Sequence, residues 1–200
     1  MICQPITISK LCCCVYCGKR SSHSYFQAKL CKQCFTNLQP AKKRNSTVSL
    51  YQYNEMMRQL ILNCKVHGDR LSLLCLKKLW LNSPQTTKLF GKCSFIMPAP
   101  SSLWGRLHGR IDLAWWLTFW ARQAFPLKPL SPPNYLYWSL EKQAKKKKRR
   151  STKITRKKTS STQSLVIVDD VITTGETLAK IAKSITAPYN LYYLTLAQAY

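Results

Sequence analysis

Two adjacent carboxylates stand between an apolar run and a turn that is rich in hydroxyl groups. Asp169 and Asp170 follow the apolar residues 165–168, and the turn after them runs from Thr173 to Thr177. Ionised carboxylates accept hydrogen bonds from neighbouring hydroxyl groups, such as those of a sugar. A turn rich in hydroxyls and glycine at the start of a helix offers N–H groups to a phosphate. The residues expected to bind such a sugar phosphate are Asp169, Asp170, Thr173, Thr174, Gly175, Glu176 and Thr177.

Four cysteines near the start of the chain are spaced as metal ligands. Two Cys-x2-Cys pairs, at positions 14 and 17 and at positions 31 and 34, are separated by thirteen residues. Two such pairs supply four thiolates to a tetrahedral Zn²⁺ ion, and Gly18 permits the tight turn after the first pair. The alternatives are free, buried thiols, or a first pair that uses Cys13. The predicted ligands of a structural zinc ion are Cys14, Cys17, Cys31 and Cys34.

The two aspartates need a strand before them and a helix after them. Residues 164–168 form an apolar run typical of a buried strand, residues 175–185 have the pattern of a helix, and residues 191–197 predict a further strand. Short connections between these elements indicate a parallel pair with a right-handed crossover, and hence an α/β sheet. Such sheets bind ligands beyond the carboxyl ends of their strands. The other interpretation is that the aspartates only end a strand and Thr174 only caps a helix.

Hydrophobic periodicity predicts further elements earlier in the chain. Tryptophans recur at helical spacing in one of them, and they are expected to pack in the core. The further predicted elements are two helices between Ser49 and Trp80 joined by a turn at residues 67–69, a strand at residues 94–97, a Trp-rich helix at residues 111–125 and a strand at residues 135–138.

The charge of the chain is concentrated in one segment. Lys and Arg number 32 against 7 Asp and Glu, and the net charge of +25 attracts nucleic acids and other polyanions. Ten of the fourteen residues at 145–158 are basic, which is typical of a solvated loop and also suits a nucleic-acid backbone. We therefore expect a zinc module at residues 1–44, a second domain at 45–200 and a flexible basic loop at 141–163. The candidate DNA-binding residues are Lys145, Lys146, Lys147, Lys148, Arg149 and Arg150.

The sequence has no pattern of an export signal or a membrane span. Its most apolar segment, residues 113–125, is interrupted by Arg122 and followed by Pro126, so it falls short of the roughly 20 residues that a spanning helix needs. A cytoplasmic location is therefore expected. In that compartment the ten cysteines favour thiols and metal ligands over disulfides.

Residues 165–177, with the sequence LVIVDDVITTGET, resemble the signature of type I phosphoribosyltransferases. Members of that family bind 5-phosphoribosyl-1-pyrophosphate (PRPP), with the two acids on the 2′ and 3′ hydroxyls of the ribose and the Thr-Thr-Gly loop on the 5′-phosphate. The resemblance implies a type I phosphoribosyltransferase-like parallel sheet flanked by helices. It also implies PRPP or ribose 5-phosphate as the ligand, with Mg²⁺ on the pyrophosphate. Turnover does not follow from it.

The order of the two motifs resembles the ComF family, in which a zinc ribbon precedes a phosphoribosyltransferase-like domain. Residues 65–69 (KVHGD), 98–100 (PAP) and 194–197 (LTLA) also fit that family, so the likeness covers nearly the whole chain. Where the family has Arg-Gly-Phe-Asn-Gln, residues 108–112 (HGRID) keep only the glycine. The resemblance implies a role in DNA uptake and natural transformation, with single-stranded DNA and proteins of the uptake machinery as partners.

Catalysis would require cations that meet the leaving pyrophosphate. Lys65, Arg106 and Arg110 are the candidates, and each is equally consistent with a solvated surface position. No segment specifies a nucleobase, so an enzymatic pentosyl transfer stays undecided. The alternatives to a ComF-like protein are a nucleobase-salvage phosphoribosyltransferase and a nucleic-acid-binding module whose pocket no longer binds PRPP.

Overall fold

The computed structural model describes residues 12–21, 29–42, 47–100, 109–130, 163–185 and 189–199. Its elements in chain order are β1 Cys12–Cys13, β2 Arg20–Ser21, α1 Lys32–Thr36, β3 Thr47–Gln52, α2 Glu55–His67, α3 Arg70–Leu81, α4 Pro84–Phe90, β4 Phe95–Pro98, α5 Leu113–Ala124, β5 Lys128–Pro129, β6 Gln163–Ile172, α6 Glu176–Ser184 and β7 Tyr189–Gln198.

Five of the strands form one parallel sheet in the order β3-β7-β6-β4-β5. β6 and β7 pair along their length, with Asp169 opposite Thr195 and Ile172 opposite Gln198. α6 connects these two strands, so the predicted strand, helix and parallel strand are confirmed. The α/β class, with a parallel sheet flanked by helices, is confirmed with them. β1 and β2 form a separate antiparallel hairpin near the cysteines.

Alternation along β6 divides the core between the two faces of the sheet. Val166 and Val168 belong to the larger apolar cluster, which includes residues of α2, α3 and α5. Leu165 and Ile167 belong to a smaller cluster, which includes residues of α6. All four side chains are buried, as expected of an inner strand in a parallel sheet. The continuous apolar run before the aspartates is therefore explained by burial on both faces.

The predicted helix pair is present as α2 and α3, and the turn between them has well-defined caps. Asn54 caps the start of α2 with its side chain, and Gly68 ends the helix with a φ of +64°, in the left-handed region that favours glycine. Asp69 then accepts two backbone N–H groups from the first turn of α3. The predicted start of the helix pair at Ser49 is wrong, because Ser49 lies in β3, which ends three residues before α2 begins.

The Trp-rich helix is α5, and it begins two residues later than predicted. Asp112 caps it by accepting the N–H of Trp115 at 3.1 Å. Trp120 is buried, whereas Trp115 is 45% exposed and its ring is stacked on that of Phe119. The expectation that the tryptophans pack in the core is therefore right for Trp120 and wrong for Trp115, which lies on the outer side of the helix.

The chain that follows α1 runs antiparallel to β3. Pro40 forms a bridge with Tyr51, and backbone hydrogen bonds of 3.2 and 2.9 Å flank it, between residues 41 and 50 and between residues 52 and 39. Leu30, between the two cysteine pairs, is fully buried in the larger apolar cluster. The cysteine region therefore packs against the same core as α2 and α3.

Of the remaining predicted elements, one strand is present with shifted bounds and others lie outside the described residues. The strand predicted at residues 94–97 is β4, shifted by one residue, and it includes Pro98. α4 and β5 were not predicted. The strand predicted at residues 135–138 and the basic residues 145–158 lie outside the described part of the chain. The division into domains at residue 44 stays a prediction.

Candidate functional site

The acidic motif lies where β6 ends and α6 begins. Asp169 and Asp170 lie near the end of the stretch of β6 that pairs with β7. Residues 173–175 form the bend that leads into α6. Gly175 has a φ of +81°, in the left-handed region, so glycine is the residue that suits this bend. The N–H of Glu176 donates to the Thr174 hydroxyl at 3.4 Å. The bend therefore presents backbone and hydroxyl groups at the amino end of a helix.

The side chains of this bend are accessible, whereas the acids before it are largely enclosed. Thr173, Thr174 and Thr177 are exposed. Asp170 is buried, with 8% of its surface exposed, and Asp169 is half-buried. The backbone N–H of Asp170 donates to the Asp169 carboxylate at 2.8 Å, which fixes the orientation of that carboxylate. Enclosed carboxylates beside an open, hydroxyl-rich bend form a site with two chemically different ends.

Burial raises the pKa of Asp169 well above its usual range, and the neighbouring charge of Asp170 raises it further. The protonated form of Asp169 is therefore more populated than in an unfolded chain. A protonated carboxyl donates one hydrogen bond and an ionised carboxyl only accepts, so the raised pKa widens the range of hydroxyl partners that Asp169 suits.

Lys65, near the end of α2, forms an ion pair with Asp170. The lysine side chain is 33% exposed and that of Asp170 is 11% exposed, so the pair is largely enclosed. Burial lowers the pKa of Lys65, but the charge and hydrogen bond of Asp170, together with the charges of Asp169 and Asp112, raise it overall. The carbonyl of Lys65 also accepts the N–H of Ile111 at 3.2 Å, which ties this part of α2 to the segment before α5. We call Lys65, Asp169, Asp170 and residues 173–177 the acid-pair site.

The predicted cations of the site have different positions. Lys65 is not a freely solvated cation, because it contacts Asp170 directly. Arg110 is exposed, and Arg106 lies outside the described residues. The contact of all three with a pyrophosphate stays a prediction. The link between Lys65 and Asp170 was missed, since no spacing rule relates two residues so far apart in the chain.

The thiols of Cys14, Cys17, Cys31 and Cys34 converge, and we call these four residues the cysteine cluster. Their sulfur atoms all lie within 4.8 Å of one another, and the Sγ atoms of Cys17 and Cys31 are 3.8 Å apart. Zinc–sulfur bonds of about 2.3 Å in a tetrahedron place sulfur atoms about 3.8 Å apart. The cluster therefore has the donor set and approximate dimensions of a four-thiolate metal site, and a metal such as zinc would fit it.

Local backbone geometry explains how the cysteine cluster forms. Gly18 has a φ of +71°, and its N–H donates to the carbonyl of Cys14 at 2.9 Å, which closes a tight turn around the first pair. Cys31 is the N-cap of α1, so the second pair spans the start of that helix. The structure selects Cys14 over Cys13 for the first pair, because the sulfur of Cys14 lies within 4.8 Å of the other three and Cys13 does not belong to the converging group.

The electrostatic setting of the cysteine cluster differs from one thiol to the next. Burial raises the pKa of the Cys14 thiol, but backbone N–H groups of Cys17, Cys31 and Tyr16 together lower it to about 7. Burial raises the pKa of Cys34, with further increases from its neighbouring cysteines. A bound cation would favour the thiolate form of all four, as metal coordination requires. Four protein ligands leave no open position, so the arrangement suits a structural role.

No family model matches the chain, and no curated protein is significantly similar to it in sequence. Among the described residues, no helix combines the length and the apolar character needed to cross a lipid bilayer.

Proposed function

We propose that this chain is a ComF-like protein that binds PRPP or ribose 5-phosphate and handles single-stranded DNA during uptake and natural transformation, in the cytoplasm. The observation that carries the proposal is the position of the acid-pair site. Two carboxylates end an inner strand of a parallel sheet, and an open Thr-Thr-Gly bend leads from them into a helix. Ligand sites of α/β sheets occupy this position.

The two ends of the site suit the two ends of a ribose phosphate. Asp169 and Asp170 would accept hydrogen bonds from the ribose hydroxyls, and the N–H groups and hydroxyls of residues 173–177 would bind the 5′-phosphate. Mg²⁺, when bound with PRPP, would neutralise its pyrophosphate. The chain's own contribution is to orient the sugar and to exclude water from the acids, which is most of what a phosphoribosyl transfer requires of a protein.

We further propose that the metal of the cysteine cluster is Zn²⁺. Four thiolates in a closed tetrahedral set favour zinc over the hard cations Mg²⁺ and Ca²⁺. The cluster packs on the core beside α2 and α3, so the zinc would stabilise the fold on that side. Proteins of the DNA-uptake machinery are the partners implied by the family resemblance.

Calorimetric titration with PRPP and Mg²⁺ tests the proposal. The full chain with its zinc is compared with the double variant Asp169→Asn/Asp170→Asn, and pyrophosphate release is followed in parallel. Each lost charge-assisted hydrogen bond costs about 1.5–3 kcal/mol, so we expect the double variant to bind at least about 100-fold more weakly. Glu55→Gln is the matched control, because Glu55 is an exposed acid that pairs with Arg58 on the surface of α2.

The outcomes separate the candidate functions. Binding without pyrophosphate release favours a ligand-binding protein, and release that depends on one nucleobase favours a salvage phosphoribosyltransferase. Absence of binding by folded wild type contradicts the proposal.

The basic composition of residues 145–158 favours a second candidate, a nucleic-acid-binding module that no longer binds PRPP. In that case the two aspartate substitutions leave DNA affinity unchanged. Neutralising Lys145, Lys146, Lys147, Lys148, Arg149 and Arg150 would instead lower the affinity and flatten its dependence on salt.

A further inference from the structure

Lys65 places a positive charge inside the acid-pair site. Its ammonium group contacts Oδ2 of Asp170, and both side chains are largely enclosed. The position of the lysine is fixed on two sides, because Cys64 beside it is fully buried and its own carbonyl binds the N–H of Ile111. Lys65 is therefore held at the acids by the packing of α2, and this contact does not depend on a ligand.

The charge of Lys65 changes what two neighbouring carboxylates bind. An acid pair without a cation attracts a divalent metal ion, since carboxylate oxygens are the preferred ligands of Mg²⁺ and Mn²⁺. An ammonium group in contact with Asp170 repels such an ion and occupies one of the oxygens it would use. The other Asp170 oxygen still accepts a hydrogen bond from an uncharged donor. A sugar hydroxyl is a donor of this kind.

We propose that Lys65 is a specificity-determining residue that makes the acid pair a site for sugar hydroxyls and excludes a bare divalent cation. This inference rests on the proposed function, since it concerns the same ligand site. It means that any Mg²⁺ at the site arrives with the phosphate groups of the ligand. Lys65 acts by orienting Asp170 and by its charge, and it is a positioning residue for the sugar.

The test compares wild type with Lys65→Met and Lys65→Arg in the full, zinc-containing chain. Affinities for ribose 5-phosphate and for 2-deoxyribose 5-phosphate are measured without Mg²⁺, and Mn²⁺ binding is measured separately by electron paramagnetic resonance. Mn²⁺ is a hard cation that competes poorly for thiolates, so the cysteine cluster does not confuse the signal. Lys78→Met is the matched control, because Lys78 is an exposed lysine on α3.

We expect wild type to bind ribose 5-phosphate at least about tenfold more tightly than the deoxy sugar, because one charge-assisted hydrogen bond is lost. Lys65→Met should reduce this ratio to about threefold or less and should gain Mn²⁺ binding that wild type and Lys78→Met lack. Lys65→Arg keeps the charge and should, like wild type, bind no Mn²⁺. If Lys65→Met has no cooperative thermal transition, Lys65→Gln replaces it, since it retains a donor to Asp170.

The proposal is overturned if Lys65→Met keeps the wild-type sugar ratio and binds no Mn²⁺. This failure differs from a failure of the proposed function, in which wild type binds neither sugar phosphate. In the latter case the Mn²⁺ comparison alone still decides whether Lys65 excludes a divalent cation from the acids.

Discussion

The cysteine cluster and the acid-pair site solve the same electrostatic problem in different ways. Both gather groups that repel one another when they are ionised. The cysteine cluster draws its four thiols from residues 14–34 and could hold a cation taken from solution. The acid-pair site draws its cation from the chain itself, by bringing Lys65 on α2 to Asp170 on β6. The first depends on local turns and a metal, and the second depends on the packing of a helix on the sheet.

This difference predicts which disturbance each site tolerates. Removing a metal should affect the cysteine cluster and leave the acid-pair site assembled, because the sheet and α2 carry the latter. Changing a single charge should affect the acid-pair site far more than the cysteine cluster. Variants of the two sites therefore test the comparison directly.

The largest expected effect on stability comes from a variant that cannot bind the metal. Structural zinc binds to zinc-finger peptides with on the order of 10 kcal/mol, and part of this energy would stabilise the fold here, so Cys34→Ser should reduce the zinc content from one equivalent to well below it and lower the melting temperature. Metal analysis and a thermal melt measure both effects. Cys93→Ser is the control, because Cys93 is half-buried outside the cluster. Wild type that holds well under one equivalent, even after zinc is added under reducing conditions, contradicts the prediction.

The next prediction is that asparagine substitutions at Asp169 and Asp170 change the stability of the fold in opposite directions. Asp170→Asn leaves the largely enclosed Lys65 without its partner and should destabilise the fold by about 1–3 kcal/mol. Asp169→Asn removes a carboxyl whose pKa is raised by burial and by Asp170, and it should stabilise the fold at pH 7. Denaturant unfolding of each variant measures the two changes. Equal changes of the same sign would contradict the assigned environments.

The pH dependence of Asp169 sharpens this prediction. Its pKa is raised on folding, so the stability it contributes is complete below about pH 3.9, the usual value for an unfolded chain, and is lost as the pH rises through the folded value. The stability gained by Asp169→Asn relative to wild type should therefore grow as the pH rises from about 4 towards 7. A gain that is independent of pH would exclude titration of Asp169 as its cause.

The smallest effect concerns the glycine of the bend. Gly175→Ala places a side chain at a φ of +81° and should cost about 1–2 kcal/mol, with weaker binding of ribose 5-phosphate. Gly91→Ala is the control, because Gly91 has a helical φ of −63° and an added Cβ would lie at an ordinary distance of 3.4 Å from Thr87 O. It should change stability by less than about 1 kcal/mol. Similar losses of stability in both variants would show that the left-handed φ of Gly175 does not require a glycine.

Whether a feature could be predicted from the sequence depends on how far apart its residues lie along the chain. The cysteine cluster and the segment from β6 to β7 were predicted because spacing and apolar runs report on neighbours along the chain. β3 was missed because its short segment lies directly before a strongly periodic helix. The contact between Lys65 and Asp170 was missed because it depends on how α2 packs on the sheet, which no local pattern records.

The exposure of Trp115 shows a second limit of prediction from the sequence. Helical periodicity identified α5 correctly, yet its three tryptophans differ in burial, from the buried Trp120 to the exposed Trp115. Their helical spacing predicted that all of them pack in the core. The direction of each side chain around the helix axis, relative to the sheet beneath it, decided the outcome.

Among the strands of the described residues, β3 and β5 lie at the two edges of the sheet, and both have features that oppose pairing with another molecule. At β5 the protection is chemical, because Pro129 has no N–H to donate and Lys128 is charged. At β3 the chain at residues 39–41 covers the open backbone. That covering segment follows directly from the cysteine cluster. A metal bound by the cluster would hold the start of this segment in place, and its release would then be expected to expose the edge of β3 to strands of other molecules.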